Sequence, residues 1–315
     1  MKIAILDDYQ NVALDFADWK PLGAEIEVFT SHIADPDDLV ARLAGAEVVV
    51  AMRERTRFPA DLLARLTDLK LLVSTGQRNA AIDLKAAEEH GILVCGTGYL
   101  SHPTAEHTWA LILGAMRHLD VELPAMRAGG WQSTVGIPLH GRTLGLLGLG
   151  RLGSRVAKVG QAFGMDTIAW SQNLTAERAA EHGVTAVGKE ELFERSDILS
   201  VHLVLSRRTR GLVGAAELAL MKPDALLVNT SRGPIVDEDA LLDVLRRKAI
   251  GGAALDVFEV EPLPEAHPLR ALGNALLTPH LGYVTKDVYE VFFRDAVEDI
   301  AAYRAGEPVR VMSLS

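Results

Sequence analysis

Apolar residues in this chain gather in short runs separated by longer amphipathic stretches. Residues 2–6, 24–29, 47–50 and 69–74 read as buried strands, and 36–43 and 59–66 between them read as helices. Leu62, Leu63 and Leu66 form one apolar helical stripe. A further unit follows: a helix over 82–89 ended by Gly91, then a strand over 92–95. Strands alternating with helices predict a parallel sheet covered by helices.

The pattern changes at 96–102, where two glycines precede Pro103 and a long helix over 104–116. We place the domain crossing near Gly98. Residues 129–142, with Trp131 and Pro138, read as an exposed connection. Alternation then resumes, with strands at 143–147, 167–170, 184–186, 198–202, 226–229, 252–255 and 275–277. A last helix over 286–305 carries Val288, Phe292, Val297 and Ile300, which need a surface to cover. Either it returns to the first sheet, making that domain discontinuous, or it packs on the second domain.

Size and charge narrow the function classes. A chain of 315 residues, 49% hydrophobic, is too long for one ordinary core and fits two domains. A net charge of -10, with no Lys/Arg run that offers a local binding stripe, argues against a nucleic-acid partner. Acids interrupt the N-terminal apolar run too early for a signal peptide. No stretch approaches the roughly 20 apolar residues that span a bilayer, so no membrane partner is expected and the cytoplasm is the expected address. The lone Cys95 excludes an intramolecular disulfide and reads as buried filler, and no metal site is expected.

The strongest local motif is Gly148-Leu149-Gly150-Arg151-Leu152-Gly153, after the apolar run 144–147 and before a helix over 154–163. Gly148 allows a tight turn, Gly150 lets a pyrophosphate approach the backbone, and Gly153 lets helix and strand pack closely. The helix start offers unpaired N–H groups to the anion. Arg151 either touches phosphate or ribose or stays in solvent. The next strand ends at Trp170-Ser171-Gln172-Asn173, and Ser171 stands where a carboxylate commonly meets the adenine-side ribose. Without that charge, and without an adjacent arginine, NAD and NADP both remain open.

Hydride transfer between a nicotinamide and a 2-oxo acid needs a clamp for the carboxylate, a proton donor for the oxygen, and a group that holds the donor charged. Arginine, histidine and a carboxylate fit these roles. Arg232, Glu261 and His280 each lie just past a strand-like run, and ligands in such sheets bind outside the carboxyl ends of the strands. Each also has a plainer reading, as a surface charge, part of an acidic loop, or a structural histidine.

The glycine loop, residues 228–237 with their Ser231-Arg232-Gly233 core, residues 254–261, and Pro279-His280 occur in this order over nearly the full length. The chain thereby resembles the D-isomer-specific 2-hydroxyacid dehydrogenase family. The resemblance implies an α/β fold of two Rossmann-like parallel-sheet domains: a discontinuous catalytic domain, 1–98 with 283–315, and a doubly wound cofactor domain, 99–282. It implies that Arg232 binds the substrate carboxylate, that His280 is the acid in reduction and the base in oxidation, and that Glu261 favours the imidazolium. It places Thr75 and Gly76, through backbone N–H groups, at the substrate anion, with Arg78 where the family often has a small or acidic residue. Thr104, His202, Thr230 and Asp256 are implied at the cofactor, Asp256 at its carboxamide. After His202 the chain runs Leu203-Val204-Leu205, without the proline usual there.

The substrate expected is a small D-2-hydroxy acid or its 2-oxo partner, with glyoxylate or hydroxypyruvate preferred. D-3-phosphoglycerate dehydrogenase is a narrower alternative, and the end at Ser315 predicts no added regulatory domain. A nucleotide-sensing interaction protein is the alternative from another class. A homodimer through the cofactor domain is expected, with the region 103–119 involved.

Overall fold

The computed structural model describes residues 1–313. The chain divides into two compact units, Met1–Leu100 with Thr285–Ser315, and Ser101–Val284.

The first unit begins with β1 (Lys2–Ile5), β2 (Glu25–Val28), α1 (Pro36–Arg42), β3 (Val48–Ala51), α2 (Ala60–Leu63), β4 (Leu71–Ser74), α3 (Leu84–Glu89) and β5 (Leu93–Gly96). Its parallel sheet runs β2-β1-β3-β4-β5. Every residue of β3 and β4 is buried, because helices cover both faces; that is why these strands read as unbroken apolar runs. Leu62, Leu63 and Leu66 join Leu6, Phe58 and Leu72 in the core. Asp35 and Asp83 start α1 and α3 by accepting first-turn N–H groups.

The second unit holds α4 (His102–Met116), α5 (Leu119–Arg127), β6 (Thr143–Leu147), α6 (Arg151–Ala162), β7 (Asp166–Trp170), α7 (Ala176–Ala180), β8 (Thr185–Ala186), α8 (Lys189–Arg195), β9 (Ile198–Val201), α9 (Ala215–Ala219), β10 (Leu226–Asn229), α10 (Glu238–Arg246), β11 (Gly252–Leu255) and β12 (Ala275–Leu277). Its parallel sheet runs β12-β11-β10-β9-β6-β7-β8, a doubly wound order. Successive strand residues face opposite layers. Leu144 and Leu146 pack with Trp109 and Ile112 of α4, whereas Leu147 packs with Leu199, Leu227 and Leu255.

Two elements differ from the sequence pattern. α6 begins at Arg151 rather than at 154, because Gly150 is its N-cap and Arg151, Leu152 and Gly153 already form its first turn. α5 was not expected: it contains Pro124 and buries none of its residues, so no core-facing periodicity marks it. α4, by contrast, buries its apolar face within its own unit.

The last helix, α11 (Lys286–Arg304), packs on β4 and buries Val288, Phe292, Phe293, Ala296 and Ile300. Of the two placements open from sequence, the return to the first sheet is the one realised, and that domain is discontinuous. No helix among the described residues is long and apolar enough to cross a membrane.

Candidate active site

In the second unit the chain winds outward from β6 through β7 and β8, then restarts at β9 on the other side. A crevice for ligands forms at the carboxyl ends of strands where winding reverses. Gly148 follows β6 there with φ +106, and a Cβ on it would sit 2.7 Å from the His202 carbonyl oxygen. A Cβ on Gly153 would meet the Gly148 oxygen at 2.2 Å. Gly150 is the opposite case, with nothing within 4 Å of its Cβ direction. The first helical bond runs from Ser154 N–H to Gly150 C=O at 2.9 Å, so the N–H groups of Arg151, Leu152 and Gly153 precede the ladder. Open space before three N–H groups at the positive end of a helix dipole fits a pyrophosphate. Arg151 is exposed at this helix start, and Ser171 is partly exposed just past β7.

His202 follows β9 beneath the loop. Its Nε2 pairs with Ser200 Oγ at 2.8 Å, while its Nδ1 is buried without a hydrogen-bond partner among the described residues. Desolvation pushes its pKa down to about 4, so the ring is neutral near pH 7.

β10, β11 and β12 are parallel neighbours, and Arg232, Glu261 and His280 follow their respective carboxyl ends. Register thus gathers at one sheet edge three residues far apart in sequence. His280 Nδ1 lies 2.6 Å from Glu261 Oε2, and Glu261 Oε1 accepts the Phe258 N–H at 2.9 Å. An ionised carboxylate only accepts, so Nδ1 carries the proton of this bond and Nε2 remains for substrate. Arg232 stands on the neighbouring strand end. Asn229, 1% exposed, pins its turn by donating to the Arg232 carbonyl at 3.0 Å and accepting from Ser231 N–H at 3.0 Å. Gly233 packs on the Phe258 backbone so closely that a Cβ would fall 2.0 Å from the Phe258 carbonyl carbon.

The three remaining expected cofactor contacts are buried. Thr104 donates to the Gly282 carbonyl at 2.9 Å, and Thr230 pairs with Thr108 at 2.8 Å. Asp256 Oδ1 takes the Thr278 hydroxyl at 2.6 Å, the Leu281 N–H at 2.7 Å and His107 Nε2 at 3.1 Å. Among the described residues its Oδ2 takes only the Gly282 N–H, at 2.9 Å, which leaves that atom the capacity for a carboxamide. Sequence reading missed His107 and Thr278. The available signal was spacing: His107 follows Thr104 by three residues, hence on the same helix face.

In the first unit, the loop after β4 corrects one expectation. The Thr75 N–H bonds to the Ala51 carbonyl at 2.9 Å, and the Gly76 N–H bonds to Thr97 Oγ1 at 2.7 Å, so both are committed within the unit. Arg53, just past β3, lies over this loop and pairs with Glu54, Nε to Oε2 at 3.6 Å. Its Nη1 donates to the Thr75 carbonyl at 3.2 Å and lies where a Gly76 Cβ would be, 1.8 Å away. Arg53 adopts φ +51, its carbonyl accepts from Asn79 at 2.7 Å, and its guanidinium lies 5.3 Å from the Tyr99 ring centroid. Arg78 is exposed.

A doubly wound sheet with a glycine loop at its reversal, and a carboxylate-bound histidine beside an arginine at the neighbouring strand ends, define a dinucleotide-dependent oxidoreductase of hydroxy or oxo acids. Comparison with known proteins narrows this class. Residues 109–282 match the model of the D-isomer specific 2-hydroxyacid dehydrogenase NAD binding domain. A glyoxylate reductase of Aeropyrum pernix is 39% identical, over 90% of this chain and 88% of its own length. A D-3-phosphoglycerate dehydrogenase of Bacillus subtilis is 36% identical over 90% of this chain, which spans only 54% of that protein. The crystal structure of a phosphoglycerate oxidoreductase from Vibrio cholerae superposes with TM-score 0.93 at 41% identity, covering 97% of this chain and 99% of that one. The chain belongs to the D-isomer-specific 2-hydroxyacid dehydrogenase family, and it interconverts a D-2-hydroxy acid and its 2-oxo partner with NAD or NADP.

Proposed function

We propose that the physiological substrate carries a second anionic group and that the chain acts as a D-3-phosphoglycerate dehydrogenase. The observation that carries this reading is the likeness to proteins named for phosphoglycerate, the Bacillus relative at 36% and the Vibrio structure at 41% identity. Glyoxylate reduction is the second reading, favoured by the Aeropyrum relative.

In either case the proposed chemistry is the same. Arg232 holds the substrate carboxylate. The bound nicotinamide supplies or accepts hydride at C2. His280 Nε2 gives its proton to the C2 oxygen in reduction and takes it back in oxidation, and the Glu261 carboxylate stabilises the imidazolium.

A panel of 3-phosphohydroxypyruvate, hydroxypyruvate and glyoxylate with NADH or NADPH tests the assignment. The phosphorylated acid should give the highest kcat/KM. A wild-type preference for glyoxylate would refute it. Tight cofactor binding with no turnover across the panel would support the nucleotide sensor instead.

We also propose a homodimer through the cofactor unit, with the interface downstream of α4. Met126, Trp131 and Val135 are 60%, 75% and 90% exposed, an apolar stretch suited to a second copy. Light scattering should give a dimer, and Met126→Glu with Trp131→Glu a monomer; a monomeric wild type would reject the assignment.

A further inference from the structure

The turn that carries His280 is not self-supporting. His280 itself is left-handed, φ +54, a conformation that a non-glycine residue keeps only where its surroundings over-determine it. Asp256 supplies much of that determination by accepting from Thr278, Leu281 and Gly282, on both sides of the histidine. Asp256 is in turn held from behind by α4. His107 Nε2 lies 3.1 Å from Asp256 Oδ1 and 3.0 Å from Thr278 Oγ1. The Thr278 hydroxyl spends its proton on Asp256, so its oxygen accepts, and one His107 N–H serves both acceptors. One turn earlier on the same helix face, Thr104 donates to the Gly282 carbonyl. α4 therefore grips the turn at Thr278 and at Gly282, two residues to either side of His280.

We infer that His107 is a positioning residue for the reaction, fixing through Asp256 and Thr278 the turn that aims His280 at substrate. The charge balance agrees with this geometry. Burial alone would raise the Asp256 pKa, but the hydrogen bond and charge of His107, the Thr278 hydroxyl and the charge of His280 outweigh it and hold the carboxyl below its usual value. Without the His107 donor, a carboxylate that is 1% exposed loses one of its partners, and the turn loses its anchor on α4.

The inference rests on His280 being the proton donor, and its test separates the two ideas. His107→Phe keeps a ring and removes the N–H; His107→Gln places an amide N–H near the position of Nε2. Phe should lower kcat about tenfold or more on the best 2-oxo acid, the cost expected of a slight misplacement of the donor. Gln should stay within about threefold of wild type, since a donor of similar reach remains. Binding of ADP-ribose, which reports the glycine loop alone, should change less than about twofold in all variants. If the Phe variant does not fold, His107→Asn, too short to reach Asp256, takes its place against Gln. Unchanged kcat in Phe or Asn, or a Gln variant as slow as either, would overturn the inference while leaving His280 catalysis intact. A wild type that turns over no 2-oxo acid would overturn both.

Discussion

Two glycines of the same loop should respond to alanine in opposite ways. A methyl on Gly153 would lie 2.2 Å from the Gly148 oxygen. A relaxed carbon–oxygen contact needs at least about 3.3 Å, so helix and strand end must part by roughly 1 Å. Overpacking of that kind costs about 1–3 kcal/mol. For a unit of this size that is about 2–12 °C in Tm. A methyl on Gly150 meets nothing within 4 Å, and its φ of -95 suits any L residue. Lost N-cap preference and reduced unfolded-state entropy roughly cancel there, so stability should move by less than about 1 kcal/mol. The methyl nevertheless occupies the space a pyrophosphate needs, and a clash of about 1.4–2.8 kcal/mol raises Kd about 10–100-fold. Thermal melting of the apo protein, paired with fluorescence titration of NADH and NADPH, separates the cases. Gly150→Ala should melt like wild type yet bind poorly, whereas Gly153→Ala should lose both. A Gly150→Ala protein with wild-type affinity would refute the assignment of the loop to the cofactor.

The other expectations are simpler. His280→Ala should remove about 10²–10⁴-fold of turnover while NADH affinity in a titration stays within about twofold; equal losses in both would deny it the proton-transfer role. Arg232→Ala should lower kcat/KM for the acid by about 10–100-fold, and a normal catalytic efficiency would rule out the clamp. Asp299, wholly buried on α11, is pushed up to about 7, chiefly by burial, against the pull of Arg310 and with help from Asp295 and Glu298. From its ordinary value of 3.8 to about 7 the folded state holds a proton that the unfolded state releases. The stability tied to that proton is full below this window and is lost as pH rises through about 7. Melting of wild type between pH 8 and 6 should therefore gain relative to Asp299→Asn, and identical pH slopes would contradict the shifted acid.

What the sequence determined by itself is local chemistry and period. Strand runs buried on both faces, the 148–153 glycines and the placing of Arg232, Glu261 and His280 just past strands all depend on neighbours within a few residues. Family resemblance then ordered those three by role. Tertiary structure alone decided the rest, because the partners lie far apart along the chain. α11 returns to the first sheet, where Asp295 takes the Gly98 N–H across 197 residues. His107 meets Asp256 across 149 residues, a contact that the helix period of α4 narrows to a face but cannot assign to a partner. The backbone donors expected at Thr75 and Gly76 are taken by the Ala51 carbonyl and by Thr97 Oγ1, and such commitments follow from register, which no short stretch of residues encodes.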